Sequence, residues 1–179
     1  MRDTDHLMPP QLTRLERVIL VNQYEILSIL KPDDSVRYQA TIKALREGYT
    51  EFYSMAVREV NVDTDKHIQR LVQDVLKIYR AISHIPLETA TDTFKNHPLR
   101  SFKGFDNTDE EFEYLGFTQF LLQTMRLYTE LRDGTAAMNG FDSHEPMLPK
   151  YEAMVREWCT LERPTRMSEK TALRILNAE

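Results

Sequence analysis

Apolar side chains recur every three or four residues along most of the chain, which is the spacing that makes one face of an α-helix apolar. The clearest run occupies positions 68, 71, 72, 75, 78, 79 and 82, and it predicts a long helix from Thr64 to about His84. A second long helix is predicted from Thr108 to Leu131. In total the pattern predicts six or seven helices and no strand.

The second long helix is predicted to open with a capping box, Thr108-Asp109-Glu110-Glu111, whose end side chains bond the first free amides of a helix. Its buried face includes Phe112, Phe120 and Leu127. Gly116 lies inside this helix at a cost of about 1 kcal/mol relative to Ala, which suggests that another backbone packs closely there.

Another capping box, from Thr13 to Glu16, opens the first helix, and Pro32 follows its end. The apolar stripe of this helix has one polar member, Asn22. A buried amide needs hydrogen-bond partners, so we expect Asn22 either to bond a neighbouring backbone group or to contact a ligand. The apolar members of the stripe are Leu15, Val18, Ile19, Ile26, Ile29 and Leu30.

These patterns predict an all-α fold, a single compact domain of helices packed around two long ones. Only 5 glycines occur among 179 residues, fewer than the tight turns of an all-β fold would need. We expect a flexible N-terminal lead over residues 1–11 and the helical domain over residues 12–179. Residues 87–103 lose the periodicity and predict a loop with one short helical turn.

The formal net charge of -5 gives no basic surface for a phosphate backbone or an anionic membrane, so we expect no direct nucleic-acid binding and no membrane association. The first residues lack the basic and apolar regions of a signal peptide, and the longest aliphatic run is Val18 to Val21. Cys159 is the single cysteine. Together these features predict a cytoplasmic protein.

Strong catalytic and metal-binding motifs are absent from the sequence. The five histidines show no helical pairing, and no glycine-rich phosphate loop or nucleophile elbow occurs. Cys159 lies in a helix whose spacing suggests a buried or half-buried, inert thiol. We therefore expect no cofactor, no metal and no catalytic residue. A hydrolase that uses Asp106, Asp142 or Glu111 is the least favoured alternative.

The tripeptide Gly-Phe-Asp occurs twice, at residues 104–106 and 140–142, and each copy precedes a predicted helix. The structural interpretation is that glycine permits an unusual backbone angle, Phe packs as a hydrophobic staple and Asp caps the helix. The two copies would form a pocket only if their loops converge.

Several blocks together resemble the YfbU family of bacterial proteins, in order from Leu12 to Ala178. The N-terminal lead is longer than in that family, and residues 87–101 do not align cleanly. The matching blocks are Ile19-Leu20-Val21-Asn22-Gln23-Tyr24, Arg37-Tyr38, Glu47-Gly48-Tyr49, Phe102-Lys103-Gly104-Phe105-Asp106, Tyr114-Leu115-Gly116-Phe117, Gly140-Phe141-Asp142, Pro146-Met147, Lys150-Tyr151 and Trp158.

The resemblance implies a cytoplasmic, all-helical protein, and it transfers no catalytic residue. Related domains are sometimes joined to a DNA-binding module, which implies a ligand-binding or regulatory unit, and the family is loosely linked with stress and cell death. The candidate binding residues that match its motif positions are Asn22, Gln23, Tyr24, Tyr49, Gly104, Phe105, Asp106, Tyr114, Gly140, Phe141 and Asp142.

The sequence therefore favours a non-enzymatic binding or regulatory domain whose partner is an unknown small molecule or protein. The alternative is a protein-interaction module that forms a homo-oligomer. Eight Tyr, eight Phe and eight Met residues supply apolar surface for such a module, although most of them are expected in the core.

Overall fold

A computed structural model describes residues 9–61, 63–108, 110–132 and 135–179. Within these ranges the chain forms helices and no strand, so the predicted all-α class is confirmed. The first eight residues of the predicted N-terminal lead lie outside the described ranges. The α-helices are α1 Arg14–Leu30, α2 Ser35–Glu47, α3 Lys66–Ser83, α4 Asp92–Lys95, α5 Phe112–Gln119, α6 Thr135–Met138, α7 Leu148–Thr160 and α8 Glu169–Leu176.

Shorter turns connect these helices. One 3₁₀ turn, Pro32–Asp34, joins α1 to α2, and another, Thr50–Ala56, follows α2. A π-helical turn, Phe120–Thr124, directly continues α5, and a 3₁₀ turn at Thr129–Leu131 comes before α6. The predicted short turn within residues 87–103 is confirmed as α4.

The chain divides into two compact units, Met1–Asp63 and Thr64–Glu179. In the first unit, α1 packs against α2, and the small core consists of Val21, Ile42, Leu45 and Tyr53. In the second unit, α3 packs against α5 and α7 around a larger core. Its most buried side chains include Tyr79, Phe94, Phe105, Leu122, Phe141, Tyr151, Met154 and Ile175.

Local signals predicted several helix ends correctly. Thr13 and Glu16 form the reciprocal capping box that begins α1, and the Asp65 carboxylate accepts a hydrogen bond from the backbone N–H of His67 at the start of α3. Gly48 ends α2 with a φ of 75°, in the left-handed region that glycine adopts at low cost. These ends follow from side-chain and backbone chemistry within a few residues.

The predicted helix from Thr108 to Leu131 is wrong in its length. The α-helix begins at Phe112, becomes a π-helical turn at Phe120 and ends at Thr124. Arg126 and Tyr128 then have φ angles of 55° and 51°, which no right-handed helix accommodates. The predicted buried face is partly exposed as a result, with exposed fractions of 62% at Phe112, 46% at Phe120 and 45% at Leu127.

The predicted capping box at Thr108 is also wrong, because no side chain caps α5. Its member Asp109 lies outside the described residues. Gly116 has open space where a Cβ would lie, so no backbone packs closely there.

Three further expectations about burial are corrected by the structure. Cys159 is exposed because it lies on the outer side of α7. Asn22 is exposed, and so is the apolar stripe around it on α1. The helix buries its opposite side, where Val21 contacts the core of the first unit. The predicted apolar period of α1 is therefore correct, but the predicted buried face is wrong.

Candidate functional site

The two Gly-Phe-Asp segments lie side by side in the second unit. The backbone N–H of Phe105 donates to the Phe141 carbonyl at 3.0 Å, and the N–H of Ser143 donates to the Phe105 carbonyl at 3.1 Å. Gly104 has a φ of 93°, and a Cβ at this position would lie 1.8 Å from the Phe141 carbonyl oxygen. The repeated glycine therefore permits the close approach of two loops.

The aromatic side chains of these segments are part of the hydrophobic core of the second unit. Phe105 and Phe141 are 0% and 2% exposed, and Phe105 stacks on Tyr114 with ring centroids 5.5 Å apart. Burial, together with nearby carboxylates, raises the pKa of Tyr114. The loops converge as a pocket would require, but the side chains that meet are structural, and neither Phe is a helix staple.

The carboxylates near these loops bond backbone amides. Asp142 accepts a hydrogen bond from the N–H of His144 at 2.9 Å and does not cap α7. The side chain of Asp106 does not cap α5 either. Instead, the N–H of Asp106 donates to Glu111 Oε2 at 2.8 Å.

Glu111 is a buried structural residue. The sequence pattern predicts that it caps the helix after Thr108, but its carboxylate bonds the start of α7. Its Oε1 accepts the N–H groups of Met147 and Leu148, at 2.7 and 2.6 Å, at the beginning of α7. Three backbone amides thus bond one carboxylate, which is favoured by the positive end of the helix dipole. The one sequence feature that could have indicated this role is an acidic residue near a predicted helix start.

The other four predicted binding residues belong to the first unit and do not meet in one site. Asn22 lines a groove of about 280 Å³ that also includes Arg14, Arg17 and Arg46. Tyr24 is half-buried and donates a hydrogen bond to the Ala56 carbonyl at 3.0 Å. Gln23 is exposed, as is Tyr49.

A cleft of about 350 Å³ in the second unit combines apolar and polar side chains. The last turn of α3, the segment 100–103, the 3₁₀ turn before α6 and α6 itself all contribute to it. None of the residues predicted from the sequence lines it. Its apolar floor is formed by Tyr79, Ile82, Phe102, Leu131 and Ala136, and its polar rim by Ser83, Arg100, Ser101, Lys103 and Glu130.

The acidic group of this cleft is already neutralised. Arg80 forms an ion pair with Glu130, and its guanidinium carbon lies 4.1 Å from the centre of the Tyr128 ring. Burial acts to raise the pKa of Glu130, but the hydrogen bond from Arg80, a backbone amide and the nearby positive charges lower it overall. In contrast, no acidic side chain among the described residues pairs with Arg100 or Lys103.

Two tyrosine hydroxyls lie beneath the cleft. Tyr151 is fully buried, and its hydroxyl accepts the N–H of Lys103 at 3.2 Å. The Tyr79 hydroxyl is buried beside that of Tyr151, and the hydrogen bond between them acts against the effect of burial on the pKa of Tyr79. Burial raises the pKa of both groups well above the ordinary value, so both are neutral donors at physiological pH.

The wall of the cleft next to α6 follows an unusual backbone path. The π-helical turn at Phe120–Thr124 is followed by left-handed angles at Arg126 and Tyr128. Left-handed angles at residues other than glycine cost roughly 1–3 kcal/mol each and persist only where surrounding contacts require them. Here these angles place the Tyr128 ring beneath Arg80. They also place Glu130 beside the cleft.

Comparison with known proteins connects both units to one family. A family model of the YfbU domain matches residues 10–178. The chain belongs to the YfbU family. The resemblance identified from the sequence is therefore confirmed, including its extent along the chain.

One relative of this YfbU chain is the UPF0304 protein MJECS11 of Methanocaldococcus jannaschii. The two are 33% identical over 149 residues, which cover 82% of this chain and 87% of the relative. The YfbU family is uncharacterised, so the match establishes kinship and leaves the activity to be argued from the structure.

Two further observations on this YfbU protein concern metal ions and membranes. Among the described residues, no group of three or more His, Cys, Asp or Glu side chains is arranged to hold a metal ion. No helix in the same ranges combines the length and apolar character needed to cross a membrane.

Proposed function

We propose that this YfbU protein is a non-enzymatic binding domain that holds a small acid with an apolar ring in the cleft of its second unit. The observation that carries this proposal is the pair of basic side chains, Arg100 and Lys103, which line the cleft without an acidic partner among the described residues. Tyr79 and Phe102 line the same cleft, so it offers both positive charge and apolar surface to a ligand.

The charge of the cleft supports an anionic ligand. Arg100 and Lys103 lie on the rim, and the carboxylate of Glu130 is compensated by Arg80. Arg100 donates its Nε–H to the Lys95 carbonyl at 3.2 Å, which fixes the guanidinium near the rim. A carboxylate or phosphate would also meet the hydroxyl of Ser101, whereas that of Ser83 donates to the Arg80 carbonyl at 2.8 Å.

The floor of the cleft supports a ligand with an apolar part. Tyr79 and Phe102 lie with ring centroids 5.3 Å apart, and Ile82 and Leu131 complete an apolar surface around them. A volume of about 350 Å³ is at the small end of ordinary ligand sites, so a single ring with one acidic group matches it better than a nucleotide.

Binding is favoured over catalysis because two of the three carboxylates suggested for a hydrolase are already engaged. Both oxygens of Glu111 accept backbone amides, and Asp142 bonds the N–H of His144. A general base needs a free lone pair directed at a substrate proton. Cleft residues such as Ser101 and Lys103 are suited to orient a ligand.

A regulatory role in the cytoplasm, with a link to stress or cell death, completes this proposal. Its support is the family resemblance, and the single cysteine is compatible with a reducing compartment. The acidic net charge supports a role that does not involve direct contact with nucleic acid.

Isothermal titration calorimetry with simple probes tests the cleft. We expect phenyl phosphate and benzoate to bind, and benzyl alcohol and inorganic phosphate to bind much more weakly, because each of the latter lacks one half of the recognised chemistry. Arg100→Ala should weaken binding at least about tenfold.

Arg166→Ala is the matched control, since Arg166 is exposed and does not line the cleft. It should leave the affinity unchanged. Equal affinity in the Arg100→Ala and Arg166→Ala variants, or no heat signal with either acidic probe, would contradict the proposal.

A further inference from the structure

The helix α1 has apolar side chains on two opposite faces. One face is covered within the first unit, where Val21 packs against Ile42 and Leu45 and Leu20 lies beside them. The other face carries six large apolar residues that are exposed to solvent. Their exposed fractions are 70% for Leu15, 57% for Val18, 51% for Ile19, 51% for Ile26, 79% for Ile29 and 70% for Leu30.

These six residues and Asn22 form one continuous stripe, which we call the α1 seam. At about 100° per residue, all seven positions fall within an arc of about 120°, with Asn22 near its middle. The seam extends over about 22 Å of helix, because each residue adds about 1.5 Å. A surface helix usually has one apolar face, which packs on the core, so a second apolar face on α1 is unusual.

The area of the α1 seam is suited to a protein interface. If a fully exposed Leu or Ile presents on the order of 170 Å², the six side chains expose on the order of 600 Å². A monomeric protein rarely exposes one apolar patch larger than about 300–600 Å². Two such seams together would bury about 1,200 Å², which reaches the range of specific, stable interfaces.

The order of residues in the seam favours a second copy of the same chain as the occupant. Asn22 lies midway between Leu15 and Ile29, and also midway between Val18 and Ile26. If two α1 helices pack antiparallel about a two-fold axis at Asn22, Leu15 meets the second copy's Ile29 and Val18 meets its Ile26. A two-fold interface requires this kind of self-complementary order.

The exposed amide of Asn22 also finds a partner in this arrangement. A carboxamide has both a donor group and an acceptor group, so two of them facing each other across the axis form a reciprocal pair of hydrogen bonds. A single polar residue in an apolar helix seam fixes register and the number of chains at some cost in stability. This role accounts for a polar residue in the centre of the apolar stripe.

From these observations we propose that the protein forms a homodimer in which the α1 seams of two copies pack antiparallel, with Asn22 on the two-fold axis. The inference does not depend on the cleft, because the seam lies in the first unit and the cleft in the second. If the dimer proposal fails, ligand binding in the cleft can still be measured. If the binding proposal fails, dimerisation can still be measured.

Sedimentation velocity over a concentration series tests the dimer. We expect the wild-type chain to dimerise and Ile26→Glu to raise the dissociation constant at least about tenfold, because it places a charge in the apolar seam. Val36→Glu is the matched control: Val36 is 84% exposed on α2, outside the seam, and its replacement should leave the dissociation constant unchanged. Circular dichroism checks that both variants keep the wild-type helix content.

Cysteine crosslinking tests the orientation in a Cys159→Ser background, which removes the native thiol. Asn22→Cys should form a disulfide between two copies, because the two positions meet at the axis. Leu15→Cys should not, because antiparallel packing separates the two positions by about 21 Å.

A wild-type monomer at the highest concentration reached would overturn the proposal. So would a dimer that Ile26→Glu leaves intact, since another surface would then hold the copies together. Efficient crosslinking through Leu15→Cys would overturn the antiparallel arrangement.

Discussion

At the scale of single residues, two glycines of this chain have opposite roles. Gly104 has a positive φ, and a Cβ there would collide with the Phe141 carbonyl, whereas a Cβ on Gly116 meets nothing within 4 Å. We expect Gly104→Ala to lower the free energy of unfolding by more than about 3 kcal/mol. Gly116→Ala should raise it by up to about 1 kcal/mol, because Ala favours the helix. Urea unfolding of both variants measures the difference, and equal effects would contradict this account of the Gly104 loop.

The buried Tyr79 hydroxyl predicts a loss of stability at alkaline pH. Burial raises the pKa of Tyr79 in the folded chain above its unfolded value near 10, so the fold favours the neutral group. This contribution is fully present below about pH 10 and is lost as the pH rises toward the folded value. The loss is about 1.4 kcal/mol for each pH unit.

Urea unfolding between pH 8 and pH 11 tests this prediction. Phe cannot ionise, so Tyr79→Phe should flatten the alkaline decline in the free energy of unfolding. Tyr49→Phe serves as the control, since Tyr49 is 50% exposed, and it should follow the wild-type curve. Parallel curves for all three proteins would mean that burial of Tyr79 contributes nothing to the decline.

At the scale of the helices, local capping chemistry predicts stability effects that can be checked one residue at a time. The Asp65 carboxylate accepts the N–H of His67 at 2.6 Å and caps α3. Asp65→Ala should therefore cost about 1 kcal/mol in the free energy of unfolding. Asp63 is exposed and caps no helix, so Asp63→Ala should stay within about 0.5 kcal/mol of wild type by thermal unfolding. Equal losses in the two variants would argue against the cap.

The helices that could be predicted from sequence are those whose signals are local. α3 has a strong apolar period and a capping residue, and its predicted range differs from the observed one by a residue or two. The segment after α5 shows why a period alone is insufficient. Its apolar spacing continues to Leu131, yet left-handed angles at Arg126 and Tyr128 end the helix, and they depend on contacts with distant groups such as Arg80.

The candidate cleft could not be predicted, because its residues come from segments far apart in sequence. Tyr79 on α3 reads as an ordinary core position of an amphipathic helix, and Arg100 lies in a loop without periodicity. The repeated Gly-Phe-Asp tripeptide marks the two loops that converge, but the repeat alone did not predict that they would. It could not signal that both Phe side chains turn into the core, since that depends on the packing of Tyr114 and Tyr151 against Phe105.

At the scale of the whole molecule, hydrophobic periodicity shows which helix face is apolar and not what covers it. The sequence predicted one domain over residues 12–179, and the structure has two hydrophobic clusters that share no residue. The first cluster is small and leaves the outer face of α1 uncovered. The same apolar pattern is therefore compatible with a core position and with the proposed interface between two copies.

Because the two clusters are separate, we predict that a substitution in one cluster weakens the packing of that cluster and not of the other. Leu45 is 1% exposed in the first cluster and Leu76 is 0% exposed in the second, so replacing either one with Ala should cost about 2–5 kcal/mol locally. In hydrogen exchange followed by mass spectrometry, Leu45→Ala should speed exchange in α1 and α2 while α3 and α7 keep their protection.

Leu76→Ala is the reciprocal experiment and should speed exchange in α3 and α7 first. Both variants replace a buried Leu with Ala. A difference between their hydrogen-exchange patterns therefore shows which helices each cluster stabilises. If Leu45→Ala accelerated exchange in α3 as much as in α1, the two clusters would open as one cooperative unit. In that case the first unit could not present the α1 seam independently of the core that surrounds the cleft.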